Sequence, residues 1–418
     1  MANNWFYIDS TQGKRISYGQ LRQDIAAIES VPEVLAFEDC YGLFVTLLAA
    51  IQRNTDLILV DDATAFAEAE SWLAQQSTAQ AHHPWPLSPE YRGERRKDSG
   101  RSAGYSFLTS SCRVGLFTSG TTGRPKLVLH AVDSLTRAVR ISEKHAGDVW
   151  GLAYHPAHFA GLQVFFQALC NRNPVVRLFG LGVEQMHSAI KQQAITHLSA
   201  TPTLMRLLDT GNQVHAGVQR VTLGGERIET KLISRLSHVF PHATFRNVYA
   251  STEVGSVLAS DGELFRIPKQ YQGLIKIVGD ELAVHRTLLA ASLQALGSED
   301  YFLTGDCVEV VEQDPLTFRL ISRRSDFINV GGYKVNPHEV EALLNAMPEV
   351  KESIVYGQAN SVTGNLVCCD LVLNVDQKLT TKELIARLSS SLPAYKIPRL
   401  ARVVDCLPVT TTGKRLRT

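Results

Sequence analysis

The sequence predicts an α/β protein: a large, layered α/β N-terminal domain with mostly parallel sheets, followed by a small α+β C-terminal domain. Three observations predict it. From 113 to 310, short β-rich runs alternate with helical stretches, the pattern of strands joined by crossover helices. Past residue 326 the texture changes to compact clusters of strands and helices. At 418 residues the chain is also long enough for more than one domain and a large core.

Taken in order, residues 16–51 read as helical, with Ile16, Leu21, Ile25, Ile28, Phe44, Leu47 and Leu48 near helical spacing. Leu57-Ile58-Leu59-Val60 reads as a buried strand running into a turn or cap at Asp61-Asp62. Residues 78–107 hold His82, His83, Pro84 and Pro86, then Arg92, Arg95, Arg96, Lys97 and Arg101 among Gly and Ser. This is read as a solvated connector; its basic run is the ordinary surface of a wet loop. Val114-Gly115-Leu116-Phe117 is a short buried strand. Further on, 175–179 and 220–223 are strand-like, and 183–193 and 202–208 helix-like. In the C-terminal part, helices are expected over 335–347 and 381–391 and strands over 353–356 and 365–375. Asn336 is placed as a cap, with Pro337 at the first helical position.

Composition excludes several function classes. Hydrophobic residues make up 44% and charged residues 20%, ordinary for a soluble globular chain. A formal net charge of +1 gives no bulk attraction to nucleic acid or an anionic membrane. The longest apolar runs, such as 43–51, are too short to span a bilayer. The seven cysteines are odd in number and contain no C-x-x-C pair, which fits buried thiols in a reducing compartment. The first residues lack a basic segment followed by an apolar core, so no signal peptide is expected and a cytoplasmic location is the default.

The richest chemistry lies in Leu116-Phe117-Thr118-Ser119-Gly120-Thr121-Thr122-Gly123-Arg124-Pro125-Lys126. Gly120 and Gly123 permit a tight turn with exposed N–H groups; Thr118, Ser119, Thr121 and Thr122 add hydroxyls, and Lys126 a positive charge. That set suits a polyphosphate. It is not a P-loop, because Pro125 precedes the lysine and Leu127 follows it.

This loop resembles the signature of the adenylate-forming superfamily: acyl-CoA synthetases, aryl-acid ligases, luciferases and peptide-synthetase adenylation domains. Six further segments match in order, so the resemblance covers the chain from 114 onward. His158-Phe159-Ala160-Gly161 resembles the segment beside the acyl pocket, which makes His158, Phe159 and Gly161 expected acid-binding residues. His155 and His158 alone lack the third ligand a metal site needs. Gly224-Gly225-Glu226 resembles the turn that runs along adenine. Tyr249-Ala250-Ser251-Thr252-Glu253 resembles Tyr-Gly-x-Thr-Glu; this implies Tyr249 on adenine, Thr252 on phosphate and Glu253 on Mg²⁺, with Ala250 in place of glycine. Thr304-Gly305-Asp306 implies that Asp306 takes both ribose hydroxyls.

Arg323 falls in the segment resembling the hinge and is expected at ribose or phosphate. Ser322 replaces a usual glycine. The hinge residue itself is Ser325 or, in the other register, Asp326. Gly331 and Gly332 correspond to the thiol side. Pro408-Val409-Thr410-Thr411-Thr412-Gly413-Lys414 implies that Lys414 is the adenylation lysine, a point cation for charge building at the α-phosphate.

The resemblance implies a large domain over 1–321, a hinge at 322–326 and a small mobile lid domain over 327–418. It implies an enzyme that activates a carboxylic acid with ATP and Mg²⁺ and passes the acyl group to a thiol. The thiol is coenzyme A or the phosphopantetheine arm of a separate acyl carrier protein. A degenerate nucleotide-binding protein is the rival reading; the intact Lys126, Glu253, Asp306, Arg323 and Lys414 weigh against it. The first 113 residues and the segment 263–301 are shorter than the pattern, and a homodimer is one way to cover surface so exposed.

Overall fold

The computed structural model describes residues 5–61, 63–78, 110–119, 125–209, 211, 213–228, 230–294, 299–361, 363–408 and 417. They divide into two compact units, one of residues 1–275 with 284–302, the other of 276–283 with 303–418.

The chain begins with β1 (Trp5–Asp9), β2 (Lys14–Ser17), α1 (Tyr18–Ala27), β3 (Val34–Ala36), α2 (Cys40–Arg53), β4 (Leu57–Val60) and α3 (Ala63–Thr78). The helical reading of 16–51 is therefore corrected: a strand and two loops interrupt it. Pro32 lacks an N–H and biases Val31 away from helix, and Asp39 restarts the helix by accepting from Gly42 N–H at 2.9 Å. The expected connector at 78–107 lies outside the described residues, apart from Thr78 at the end of α3.

There follow β5 (Arg113–Ser119), β6 (Pro125–Ala131), α4 (Val132–Thr136), β7 (Trp150–Leu152), α5 (Phe159–Asn171), β8 (Val175–Arg177), α6 (Val183–Gln192), β9 (His197–Ala200), α7 (Pro202–Leu208), β10 (Arg220–Gly224), α8 (Thr230–Val239), β11 (Thr244–Ser251), β12 (Gly255–Ser260) and β13 (Leu264–Arg266). One sheet of the first unit has the order β12-β11-β10-β9-β7-β8-β1-β2. Its inner pairings are all parallel and only the two outermost are antiparallel. A second sheet, β3-β4-β5-β6, is parallel except for its β5–β6 hairpin.

Parallel inner strands need two apolar faces, and β4 supplies them. Leu57 and Leu59 enter the core that holds α2 and α5, while Ile58 and Val60 pack with α3. In the larger core Phe44 of α2 stacks on Phe165 of α5 at 4.2 Å. The helices α6, α7 and α8 supply a separate core around Val176, Leu198, Val221 and Leu223.

Next come β14 (Ile275–Val278), β15 (Glu281–His285), α9 (Ala291–Gln294), β16 (Tyr301–Gln313), β17 (Leu316–Arg323), β18 (Ile328–Val330), β19 (Tyr333–Val335), α10 (Pro337–Leu344), β20 (Val350–Asn360), β21 (Gly364–Leu373), α11 (Thr381–Leu388) and β22 (Leu400–Val403). In the second unit β16 and β17 form a long antiparallel pair. A separate sheet, β19-β18-β21-β20 with β22 beside β21, packs against α10 and α11. Asn336 caps α10, its side chain accepting from His338 N–H at 3.0 Å. No described helix is long and apolar enough to cross a membrane. The seven cysteines are free thiols, all buried except Cys406.

Candidate active site

Two of the sequence motifs meet at the carboxyl ends of neighbouring parallel strands. β10 and β11 run side by side with Gly224 opposite Val248, so the turn 224–226 and the segment 249–253 emerge next to each other. In open α/β sheets this edge is where ligands bind. Gly225 has φ +85°, a left-handed backbone that glycine adopts without strain. A Cβ on Gly224 would stand only 3.2 Å from the Val248 carbonyl oxygen. The turn is tied down on both sides. The hydroxyl of half-buried Tyr154 donates to Gly224 O at 3.2 Å. The Glu226 carboxylate accepts from Thr203 N–H at 2.9 Å and from the Thr203 hydroxyl, at the first turn of α7.

The strand β11 shifts register between Tyr249 and Ala250, then leaves the sheet. Ser251 Oγ accepts from Val254 N–H at 3.2 Å, closing the turn. The backbone carbonyls past it are each claimed. His130 Nε2 lies 2.7 Å from Thr252 O, Ala290 N–H donates to Glu253 O at 2.8 Å, and Arg137 donates to Val254 O. A carbonyl only accepts, so His130 carries its proton on Nε2, and its bare Nδ1 accepts from the Ser134 hydroxyl at 3.0 Å. Full burial pushes the His130 pKa down to about 4, which keeps the ring neutral. Tyr249 is buried, while Ser251, Thr252 and Glu253 are half-buried. A carboxylate beside hydroxyls is the hard oxygen set that suits Mg²⁺.

The segment before α5 is a tight turn. A Cβ on Gly161 would fall 2.2 Å from His155 O, so only glycine fits. Phe159 is buried beside His130, at 5.3 Å between rings. His158 occupies the cap position of α5 without capping it. Its Nε2 is instead 2.6 Å from Asp61 Oδ2, and this bond holds the Asp61 carboxyl below its usual range. His155 lies between Phe37 and Phe179 at 4.5 and 4.6 Å.

Thr118 and Lys126 are cross-strand partners of the β5–β6 hairpin, Thr118 half-buried and Lys126 exposed. Ser119 ends β5. Gly120, Thr121, Thr122 and Gly123 lie outside the described residues, as does Lys414.

In the second unit, Asp306 and Arg323 are register partners across β16 and β17, and Arg323 Nε donates to Asp306 Oδ1 at 3.1 Å. The carboxylate of Glu281 accepts from Gly305 N–H at 2.7 Å and from Arg324 Nε at 2.9 Å. Arg324 also donates to Asp280 at 2.7 Å, which lowers the Asp280 pKa. Residues 324–326 form one 3₁₀ turn, with the Ser325 hydroxyl donating to Asp326 at 3.2 Å. Gly331 and Gly332, at φ +57° and +88°, make the two-residue turn between β18 and β19. Three positions beyond Lys414, Arg417 donates to both Glu341 oxygens, at 2.5 and 3.0 Å, and to Val355 O.

Sequence reasoning missed Asp61, His130, Tyr154, Thr203, Glu281, Glu341 and Arg417. Each acts through a partner distant in sequence. His130, a single histidine in an apolar strand, carries no local signal of its bond to Thr252.

The AMP-binding enzyme family model matches residues 52–284, and the AMP-binding enzyme C-terminal domain model matches 339–414. A 2-succinylbenzoate–CoA ligase of Staphylococcus epidermidis is 26% identical over 341 residues, covering 75% of this chain and 70% of that protein. The Staphylococcus aureus ligase of the same name is 27% identical over 327 residues, covering 72% and 65%. Among solved structures, ATP-bound MatB from Rhodopseudomonas palustris has a TM-score of 0.72 at 20% identity, covering 99% of this chain and 94% of that one. The o-succinylbenzoate CoA synthetase of Bacillus subtilis with its acyl-adenylate OSB-AMP has 0.66 at 19%, covering 99% and 94%. These structures share the fold, and the family model spans more than half of the sequence. The chain belongs to the AMP-binding, adenylate-forming enzyme family.

Proposed function

We propose that this protein joins a carboxylic acid to the thiol of coenzyme A in two steps. The acid's carboxylate oxygen attacks the α-phosphorus of ATP; the bond to the β-phosphate oxygen breaks and pyrophosphate leaves. The thiol sulfur then attacks the acyl carbon of the acyl-adenylate, AMP leaves, and the thiol proton passes to solvent. The observation that carries this reading is the meeting of the 224–226 turn and the 249–253 segment at the carboxyl ends of β10 and β11.

Tyr249 and the backbone of Gly224, Gly225 and Glu226 take the adenine, with Ala250 and Ser251 shaping the turn. Thr118 to Gly123 and Lys126 take the outer phosphates. Thr252 contacts phosphate, and Glu253 would hold Mg²⁺, which spreads the charge of the leaving pyrophosphate. Asp306 takes the ribose hydroxyls, and Arg323, already bonded to Asp306, orients it. Lys414 neutralises charge at the α-phosphorus. The protein's part is to position two anions and stabilise charge. His158, Phe159 and Gly161 bound the acid. The turn Gly331-Gly332 serves the thiol after 327–418 swivels about Ser325 or Asp326. The names of the curated relatives support an aryl dicarboxylate, 2-succinylbenzoate, as the acid to try first.

The test is pyrophosphate release with Mg·ATP over a panel of short, long-chain and aryl acids including 2-succinylbenzoate, with and without coenzyme A. Release that rises with coenzyme A, together with an acyl-CoA product by mass, supports the reading. ATP binding without release from any acid, in the presence of coenzyme A, overturns it. Release that coenzyme A leaves unchanged points to a carrier-protein thiol.

A further inference from the structure

A cluster at the far end of the same sheet has the make-up of a metal site. His145 Nδ1 lies 2.8 Å from Asp148 Oδ2, and His197 Nε2 lies 3.4 Å from the same oxygen. All three potential ligand atoms fall within 4.8 Å of one another. Asp148 and His197 are buried and His145 half-buried. We propose that His145, Asp148 and His197 bind one divalent transition-metal ion, Zn²⁺ being the best fit, as a structural staple separate from the nucleotide site.

Three features carry this. The first is distance. A charge-assisted N–H···O⁻ bond is expected at about 2.7–2.9 Å. Ligands about 2.0–2.1 Å from a tetrahedral ion stand about 3.3 Å apart. The 3.4 Å between His197 and Asp148 is long for the former and suits the latter. His145, on a single 3₁₀ turn at 143–145, needs to open its 2.8 Å contact by about half an ångström to match.

The second is the support behind His197. Its other ring nitrogen lies 2.9 Å from the Thr196 hydroxyl, which itself accepts from Val149 N–H at 2.8 Å. A hydroxyl can donate or accept, so Thr196 serves the ring when Nε2 carries a proton and equally when Nε2 offers a lone pair to a metal. This is the outer partner that metal-bound histidines characteristically have. The Trp150 ring packs on His197 at 4.7 Å, and its buried Nε1–H has no acceptor among the described residues.

The third is location. His197 opens β9 opposite Trp150, the first residue of β7, so the cluster sits at the amino ends of these parallel strands. The nucleotide motifs sit at the carboxyl ends of β10 and β11, a strand length away. An ion here would tie the 143–148 loop to two inner strands without touching substrate. Two imidazoles and one carboxylate favour Zn²⁺ over Mg²⁺, which prefers all-oxygen sites. Arg220, across the register from His197, is the opposing cation; it is exposed, so water screens it.

The test uses the full chain with Cys406→Ser, to remove the exposed thiol, stripped with chelator and titrated calorimetrically with ZnCl₂. One ion per chain is expected, with affinity falling about 100-fold in His145→Ala and about tenfold in Thr196→Val, which keeps every ligand. Zinc should raise the melting temperature of the parent but not of His145→Ala, and Co²⁺ should give the visible absorption of a four-coordinate N/O site. ATP binding by His145→Ala should match the parent. Zinc binding of equal strength in parent and His145→Ala, or no zinc binding at micromolar concentration, overturns the proposal.

Discussion

At the ends of β10 and β11 the backbone carbonyls are held mostly by neutral groups, Arg137 on Val254 O being the charged exception. The Tyr154 hydroxyl, the His130 imidazole and the Ala290 amide each claim a carbonyl, and His130 is fully buried. In the second unit the comparable positions are held by ion pairs: Arg323 with Asp306, Arg324 with Glu281 and Asp280, Arg417 with Glu341. The difference follows from where each lies. A loop leaving an inner parallel sheet starts in a dry core, where charge is costly and a neutral hydrogen bond is strengthened by low dielectric. In the second unit Asp306, Glu281 and Glu341 are buried carboxylates, each paired with an arginine that reaches water, and the Arg324–Asp280 pair is exposed. The first arrangement should be stiff and indifferent to salt; the second should respond to salt and pH.

The largest expected effect falls on chemistry. Lys414→Ala should lower adenylation about 100- to 1000-fold, the usual loss when one preorganised charge-stabilising group is removed. Equilibrium ATP binding should change little. Pyrophosphate release beside ATP titration checks this, and an equal loss in both would make Lys414 a binding residue only.

Acid should separate the two arrangements. Glu341 is buried and its pKa is held down to about 2, against 4.5 for the free carboxyl, by bonds from His338 and Arg417 that outweigh desolvation. The folded state thus binds its proton more weakly. The stabilisation is complete above pH 4.5 and is lost as pH falls toward 2, about 3 kcal/mol in all. His130 behaves differently. Its pKa is near 4 when folded against 6.5 when free, because burial disfavours the cation. The unfolded chain takes the proton first, so this stability is lost as pH falls from 6.5 to 4, again about 3 kcal/mol. Urea midpoints across pH 7 to 3 should show the Glu341→Gln change flattening the lower window and His130→Gln the upper. Both variants flattening one common window would erase the contrast.

The candidate motifs were legible in the sequence because they are local. Gly224-Gly225, Tyr249–Glu253 and Thr304–Asp306 each place their own backbone and side chains within a few residues. The alternation that predicts mostly parallel sheets is also local, as is the Asn336-Pro337 helix start. The supports were not legible, because they join segments far apart. His130 is 122 positions from Thr252, and Asp61 is 97 from His158. The break within 16–51 was missed for another reason: apolar residues on either side of Pro32 keep near-helical spacing, and the proline outweighs them.

A packing test comes next in size. Gly161→Ala should cost about 3 kcal/mol, because the added Cβ meets a backbone oxygen at 2.2 Å rather than a yielding side chain. Thermal unfolding measures it. A stable variant would mean that the turn before α5 can shift, and with it His158 and Phe159.

The smallest effect belongs to Arg324→Ala. Its side chain is 43% exposed and its partner Asp280 is 66% exposed, so water already screens that pair. The pair with Glu281 differs in one respect: Glu281 is buried and also accepts the Gly305 amide, which stays in place when the arginine is removed. The urea midpoint should therefore hardly move. What should change is the turn at 324–326, since Arg324 is its first residue and both carboxylates fix its direction. If Ser325 or Asp326 is the swivel, freeing that turn should alter the thiol-transfer half-reaction while leaving adenylation intact. Single-turnover transfer from preformed acyl-adenylate to coenzyme A, measured at low and high salt, decides it. In the parent, high salt should weaken the exposed pair and mimic the mutation, and in Arg324→Ala salt should have no further effect.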